Sequence, residues 1–216
     1  MLWAWERPED LRFIDPAKTG VAFLAQTLTL ESDEVRFRPR RQPLIVPDGV
    51  YLVAVTRIDS VKLAERRPVY SDRQIEQLSG LIVKTLEDPR VRGVQIDFDA
   101  VVSERGFYRD LVLYLRKALP RDTHLSMTAL ASWCVGDLWL QDMDVDEAVP
   151  MAFVMGADSE RIRAYLNGGS EWREPLCTES YGLSVDAPPI RGLVPGRRIY
   201  YFKDQAWNSR DLQHLE

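Results

Sequence analysis

Several residue types that support common active-site chemistries are scarce in this sequence. Among 216 residues there are only two histidines, His124 and His214, and two cysteines, Cys134 and Cys177. The cysteines lie far apart without a Cys-x-x-Cys motif, which excludes a disulfide framework and argues against a His/Cys metal site. We expect two buried free thiols, with a single bridge as the alternative if the protein is exported. We expect both histidines at the solvated surface, which leaves little material for a Ser-His-Asp or Cys-His catalytic unit.

Long apolar runs, basic excess and glycine-rich nucleotide loops are also missing. No apolar run approaches the roughly 18 residues of a membrane span, so no membrane span is predicted. The net charge of −5 and the isoelectric point near 5.2 argue against nucleic acid as a partner, because nucleic-acid binding needs a basic face. No GxGxxG or Walker-type loop follows any predicted strand, so we predict no nucleotide site and expect no cofactor or metal.

The N-terminal residues carry no basic segment followed by an apolar stretch, so no signal peptide is visible. Strand-like sequence begins at residue 2, however. The compartment is therefore cytoplasmic for the sequence as written, and periplasmic or secreted if a leader has been removed. The oligomeric state is left open.

The stretch around which the chain is organised is an apolar, β-branched segment at 94–98, which is typical of a buried parallel strand. Asp97 and Asp99 lie at its C-terminal end. Alternation places both on one face, with Ile96 and Phe98 on the other. In a barrel of parallel strands, carboxylates at this end indicate catalysis. The structural alternative is that they cap the next helix or pair with an arginine.

The rest of the chain repeats this strand pattern, and at least three helices lie between strands, at about 72–86, 104–119 and 159–166. Strands that alternate with helices predict parallel β/α units. The predicted strands are 2–5, 21–28, 50–56, 94–98, 125–130, 146–155, 175–185 and 197–203. We therefore predict an α/β fold, a compact (β/α)8 TIM-barrel-like domain with some helices shortened; an open doubly wound sheet is the alternative.

One segment breaks this rhythm. Residues 29–47 contain two alternating half-exposed strands around a polar turn, followed by a proline- and arginine-rich run, which is incompatible with a helix interior. We expect a hairpin excursion here in place of a crossover helix. The whole of 1–216 is predicted to be one domain, since single α/β domains often exceed about 200 residues.

The organising strand resembles the signature of family 18 chitinase-like glycoside hydrolases, Asp-Gly-x-Asp-x-Asp-x-Glu. Gly93 and Asp97 match this pattern. Arg92 and Gln95 stand where the family has its first two acids, and Asp99 stands where the family has its general-acid glutamate. The match covers about eight residues.

The chain is also similar to a bacterial domain-of-unknown-function family with a glycoside-hydrolase-like barrel. That family has an Asp-x-Asp strand, then an amphipathic helix, then a Ser-x-Thr-Ala-Leu-x-x-Trp strand. Here these features are Asp97-Phe-Asp99, a helix at about 107–119, and the strand 126–133. This similarity covers much of the chain and implies no known activity.

The resemblance to the chitinase-like family implies roles for the two acids. Asp99 would protonate the leaving glycosidic oxygen, and Asp97 would orient the substrate's N-acetyl group, which acts as nucleophile. Two carboxylates this close raise the pKa of one of them, as a general acid near neutral pH requires. In the family a Met-x-Tyr run holds the N-acetyl group. The corresponding run here is Met151-Ala-Phe153, which keeps the methionine but lacks the hydroxyl.

Further polar candidates lie in or near predicted strands. Glu6 follows the first strand, Arg57 follows the third, Thr128 lies in the fifth and Glu179 in the seventh. We predict them as substrate-binding residues, with Glu6 or Glu179 also available as a second acid in a two-carboxylate mechanism. The alternative for these charged residues is an internal salt bridge, for instance between Glu6 and Arg57.

Tryptophans near strand ends are candidates for stacking on sugar rings. Trp133 and Trp207 are the predicted platforms, and alternation places Trp3 and Trp5 on a common face. The alternative for all four is burial in the core, because large aromatics supply much of a small domain's buried area.

Three functional hypotheses follow. The first is an uncharacterised glycoside-hydrolase-like barrel that acts on a polysaccharide or other glycan with Asp99 and Asp97. The second is a barrel that binds a saccharide without cleaving it. The third is a protein-interaction barrel that uses the 29–47 excursion as its contact surface. The fold alone does not choose between them.

Overall fold

The computed structural model describes residues 1–137, 139–213 and 215. Eight of its strands run parallel and close into a barrel. The barrel order is β1-β3-β6-β7-β8-β9-β10-β11, closed where β1 pairs with both β3 and β11. In chain order the strands are β1 (Leu2–Ala4), β2 (Glu9–Asp10), β3 (Val21–Glu31), β4 (Glu34–Pro39), β5 (Leu44–Ile45), β6 (Leu52–Ser60), β7 (Val91–Asp97), β8 (His124–Leu130), β9 (Glu147–Met151), β10 (Ser180–Ser184) and β11 (Arg198–Phe202). The predicted compact (β/α)8 TIM-like fold is confirmed.

Helices cover one side of the barrel more fully than the other. They are α1 (Asp72–Val83), α2 (Arg105–Ala118), α3 (Ala131–Val135), α4 (Ser159–Asn167) and α5 (Ser209–Leu212). The described connections between β1 and β3, β3 and β6, and β10 and β11 contain no α-helix. The expected shortening and loss of helices is therefore confirmed. None of the helices within the described ranges has the length and apolar character that crossing a bilayer requires.

The ends of the helices follow local hydrogen-bonding rules. Ser71 caps α1 through a reciprocal pair of bonds with Gln74, as a capping box requires. The N-cap residue of α2 is Glu104, whose side chain does not cap the helix itself. A short 3₁₀ turn, Val102–Glu104, precedes α2, and the Glu104 carboxylate accepts the backbone N–H of Val101 at 2.8 Å.

A β-hairpin rises from the C-terminal end of the barrel within the segment 29–47. Strand β4 runs antiparallel to the second half of β3, with Glu31 opposite Glu34. The turn passes through Ser32, which has a positive φ of 50°. Asp33 accepts a hydrogen bond from the Ser71 hydroxyl at 2.6 Å, so the turn is tied to the first turn of α1.

Side chains of the barrel strands alternate between an interior and an outer layer. Ile96 of β7 and Phe98 just after it belong to the outer core beneath the helices, where Phe98 packs against Tyr108 of α2 at 5.2 Å between ring centroids. Asp97 therefore faces the interior, on the side opposite Ile96 and Phe98, as alternation along a strand requires. The interior itself holds an apolar cluster of Trp3, Ala22, Val53, Val55, Val149, Tyr200 and Phe202.

The two cysteines form a disulfide, so the expectation of free thiols is wrong. Cys134 in α3 and Cys177 before β10 are both fully buried, and their Cα atoms are 5.9 Å apart. Sequence spacing gave no signal for this contact because the two residues meet only after the barrel closes. His124 is half-buried, 3.9 Å from Glu147, rather than on the surface as expected. His214 lies outside the described residues.

Candidate functional site

A single arginine joins three carboxylates at the C-terminal end of the barrel. Arg57 on β6 lies directly opposite Asp97 on β7 in the strand register. Its guanidinium donates from Nη1 to Asp97 Oδ2, from Nη2 to Asp99 Oδ2 and from Nε to Asp59 Oδ1, each at 3.0 Å. The predicted Asp pair is therefore held together by Arg57 rather than by capping of the next helix.

The two carboxylates have different environments. The Asp97 side chain is 6% exposed and accepts a hydrogen bond from the Thr128 hydroxyl at 2.8 Å, whereas the Asp99 side chain is 50% exposed. Burial raises the pKa of Asp97, and Asp99 adds to this, against the opposing influence of Arg57 and Thr128. The main cause of the raised pKa of Asp97 is desolvation rather than the like charge expected from the sequence.

The neighbours of Arg57 also change its pKa. Burial works to lower the pKa of Arg57, but Asp97 and Asp99 more than offset this, and the net shift is upward. The guanidinium stays charged and fixes the relative positions of the acids. Each of the three carboxylates receives one N–H bond from a different guanidinium nitrogen, which the several donors of arginine permit.

These residues border a cleft of about 410 Å³ at the mouth of the barrel. Half-buried aromatic side chains, Trp5 after β1 and Phe153 after β9, form part of its wall, with the more deeply buried Phe202 behind them. The rest of the lining is contributed by Trp3, Arg57, Asp97, Asp99, Leu130, Met151, Val154, Ser184, Asp186, Ala187, Lys203 and Asp204. A cleft at this end of a parallel barrel is the usual place for a ligand site.

The structure brings part of the predicted site together. Arg57, Asp97, Asp99 and Met151 line the cleft, and Thr128 touches it through its bond to Asp97. Within the described ranges, no group of three or more His, Cys, Asp or Glu side chains is arranged to hold a metal ion.

The predicted tryptophan platforms are wrong. Trp133 is 2% exposed and packs edge-on against Trp139 at 4.9 Å. Trp207 is 4% exposed, and its indole N–H donates to the carbonyl of Trp3 at 2.8 Å. Both side chains are buried in the outer core, because a position near a strand end does not determine which side of the barrel a residue faces. Neither lines the cleft.

The outlying glutamates also lie away from the cleft. Glu6 accepts the backbone N–H of Arg41 at 2.8 Å, so the suggested ion pair with Arg57 is wrong. Glu179 is exposed and precedes β10. It therefore lies at the N-terminal end of the barrel, opposite the cleft, because the strand begins one residue after it.

Several aromatic and charged cleft residues were not predicted as site residues. Trp5 and Phe153 provide aromatic surface, and Asp186, Lys203 and Asp204 follow β10 and β11. A sequence signal for the three charged residues existed, since they directly follow the last two barrel strands. For Trp5, the shared face with Trp3 was correct, but the two differ in burial: Trp3 is fully buried and Trp5 only partly.

The positions that depart from the chitinase-like signature have structural explanations. Gln95 faces the barrel interior, is fully buried and donates to the Ser126 hydroxyl at 3.0 Å. Arg92 is exposed near the N-terminal end of β7. The charge of the missing acid is therefore replaced by a neutral hydrogen bond between adjacent strands.

Comparison with known proteins shows the fold. The chain is similar to the solved structure of the spore cortex-lytic enzyme SleL of Bacillus cereus, with a TM-score of 0.53 and 15% sequence identity. The similarity covers 85% of this chain and 50% of the SleL chain, so this chain spans about half the length of that enzyme. No family model and no curated protein matches the chain. At this identity the likeness establishes the barrel architecture.

Proposed function

We propose that this barrel is a glycan-acting hydrolase that binds a polysaccharide in the C-terminal cleft. Asp99 is the proton donor and Asp97 the orienting group. The observation that carries the proposal is the pairing of a half-exposed Asp99 with a buried Asp97 beside the aromatic wall of a 410 Å³ cleft. Aromatic faces suit sugar rings, and paired carboxylates suit acid catalysis at a glycosidic bond.

The chemistry follows the resemblance to the chitinase-like family. The acid form of Asp99 gives its proton to the glycosidic oxygen as the C–O bond breaks, and the oxygen of the substrate's own N-acetyl group bonds to the anomeric carbon. Water then opens this intermediate and returns a proton to Asp99. Asp97 accepts the amide N–H of the N-acetyl group, while Thr128 and Arg57 hold Asp97 in place. When Asp99 carries its proton, Arg57 still has Asp59 and Asp97 as partners.

Two further observations fit this proposal. SleL, which shares the fold, is named as an enzyme that lyses the spore cortex, which supports a polymeric substrate. The buried Cys134–Cys177 disulfide is typical of proteins in an oxidising compartment, where extracellular polysaccharides are accessible.

Release of reducing ends from N-acetylated and uronic-acid polysaccharides tests the proposal. We expect Asp99→Asn to lower the rate by about a hundredfold or more, because a missing general acid typically costs 10²–10⁴-fold. The matched control is Asp122→Asn, an exposed aspartate just before β8 at the opposite end of the barrel, which should leave the rate unchanged. Equal release by the native protein and Asp99→Asn would contradict the assignment of the acid.

A second candidate is a barrel that binds glycans without cleaving them. The specific observation in its favour is that Arg57 engages three carboxylates at 3.0 Å, which neutralises much of the acid pair in the absence of a ligand. Phe153 also favours this candidate, because it lacks the hydroxyl of the tyrosine that holds the N-acetyl group in the chitinase-like family. This candidate predicts saturable glycan binding that survives Asp99→Asn, with no reducing ends released by either protein.

A further inference from the structure

Two carboxylates of the cleft lie across the mouth of the barrel from the Asp97–Asp99 pair. Asp186 follows β10 and Asp204 follows β11. Strands β7 and β11 are four positions apart in the eight-stranded barrel, so their C-terminal ends face each other. The cleft therefore has acids on both sides, and among residues 1–137, 139–213 and 215 only the acids on the β7 side are paired with an arginine.

One acid of this second pair is oriented by a backbone hydrogen bond, and within the part of the chain that the structure describes neither acid is neutralised. Asp186 Oδ2 accepts the backbone N–H of Asp204 at 2.7 Å, which orients the Asp186 carboxylate. Among the described residues, neither Asp186 nor Asp204 forms a salt bridge. Both residues are exposed.

The nearby cations are engaged elsewhere. Lys203 Nζ lies 2.6 Å from the Asp211 carboxylate and 5.7 Å from the centre of the Trp207 ring. Arg7 donates to the backbone carbonyls of Lys203 and Asp204 and pairs with the buried Glu9. Arg57 is shared among three carboxylates. The cleft as a whole therefore carries excess negative charge.

A second pocket of about 480 Å³ lies next to the cleft and shares Asp186 and Lys203 with it. Its other walls are largely apolar and include Leu183, Ile190 and Tyr201. Asp186 is therefore within reach of a ligand in either pocket.

We infer that the ligand is a polysaccharide of amino sugars in which some amino groups are free and protonated. A protonated amine faces Asp186 and Asp204, and an N-acetylated sugar occupies the position beside Asp97 and Asp99. This inference rests on the proposed function, a glycan site in the cleft, and specifies in addition that the glycan is positively charged. An anionic polysaccharide would be repelled by the excess negative charge of the cleft, and a neutral one would leave Asp186 and Asp204 without a counter-charge.

Titration calorimetry with two defined oligosaccharides tests the inference without requiring turnover. The probes are a glucosamine tetramer that carries one N-acetyl group and the fully N-acetylated tetramer, at about pH 6, below the pKa typical of an amine of this kind. We expect the partially acetylated tetramer to bind about tenfold more tightly at low salt, because one or two close charge pairs supply roughly this factor. The preference should shrink between about 0.01 M and 0.15 M ionic strength, where the screening length falls from about 30 Å to about 8 Å.

Variants locate the charge that causes the preference. The double substitution Asp186→Asn with Asp204→Asn should reduce the preference to about threefold or less, and Asp186→Asn keeps an oxygen for the Asp204 N–H. Asp122→Asn should keep the full preference. Equal affinity for the two tetramers would reject the inference while leaving the glycan site standing. A preference that persists in the double variant would reject these two residues, and failure of both tetramers to bind would reject the site as well.

Discussion

The two ends of the barrel contain similar ion pairs in different surroundings. At the C-terminal end, Arg57 pairs with the buried Asp97. At the N-terminal end, Glu147 is 1% exposed and accepts bonds from Arg198 at 2.8 Å and from the Tyr200 hydroxyl at 2.6 Å. Both sites hold a buried carboxylate in place with an arginine and one hydroxyl donor.

The difference between them is access. Glu147 and Tyr200 are each 1% exposed, and burial, together with the adjacent Glu147, raises the pKa of Tyr200. The C-terminal cluster adds the half-exposed Asp99 and opens into the cleft. A buried ion pair alone therefore does not identify a site. The proposed site rests on the second, accessible acid beside the cleft, at the end of the barrel where parallel barrels place their chemistry.

The largest effect on stability is expected at the N-terminal end of the barrel. Arg198→Ala should lower the free energy of unfolding by about 3 kcal/mol. This is the low end of the range for breaking a buried ion pair, because the Arg198 side chain is half-exposed. Urea denaturation followed by circular dichroism and by tryptophan fluorescence measures this. We also propose that residues 1–216 behave as one domain, so the two signals should give coincident transitions. Glycan binding should be unchanged, and a loss of binding in folded Arg198→Ala would remove the distinction between the ends.

A smaller effect, dependent on pH, is expected at the C-terminal end of the barrel. Arg57→Ala should lower the free energy of unfolding by about 2 kcal/mol near pH 7, because it leaves the buried Asp97 charge without its partner. The pKa of Asp97 is already raised by burial. The contribution of Asp97 to folding stability is therefore fully present below the unfolded pKa of about 3.9 and is lost as the pH rises through the folded pKa. Without Arg57 the pKa of Asp97 should rise further, so the loss at pH 7 should be larger. The destabilisation caused by Arg57→Ala should therefore shrink near pH 5, where more of Asp97 is protonated.

The control for this prediction is the double variant Arg57→Ala with Asp97→Asn. Its amide cannot ionise, so the double variant should recover much of the stability near pH 7 and should lose the extra pH dependence. Urea midpoints across this pH range provide the measurement. If Arg57→Ala is equally destabilised at every pH and Asp97→Asn does not rescue it, Asp97 is not the group responsible.

The sequence was sufficient to predict the barrel fold and the acid pair of the candidate site. Strand periodicity predicted the eight barrel strands, and alternation placed Asp97 and Asp99 on the face opposite Ile96 and Phe98. Residues within one strand have relative positions set by local geometry, and for that reason the two acids could be predicted to lie together. Arg57 lies on the neighbouring strand β6, and the sequence suggested a different partner for it, Glu6.

The remainder depends on contacts that form only on closure of the barrel. Trp133 and Trp207 lie just beyond barrel strands, yet the elements that carry them turn outward and their rings are buried. Cys134 and Cys177 meet across a sequence separation of 43. Asp186 and Asp204 are joined by one backbone hydrogen bond between the ends of two strands. Local periodicity contains no information about such distances.

The most direct test of the central claim is to locate the bound glycan with the six tryptophans as reporters. Isotope-labelled protein is titrated with partially N-acetylated glucosamine oligomers, and the indole N–H signals are followed by NMR, with Trp5→Phe used for assignment. The half-buried Trp5 at the cleft should shift progressively and saturate, while the buried Trp133 and Trp207 should not move. Saturable shifts at Trp133 or Trp207 with Trp5 unchanged would place the glycan elsewhere and contradict the account.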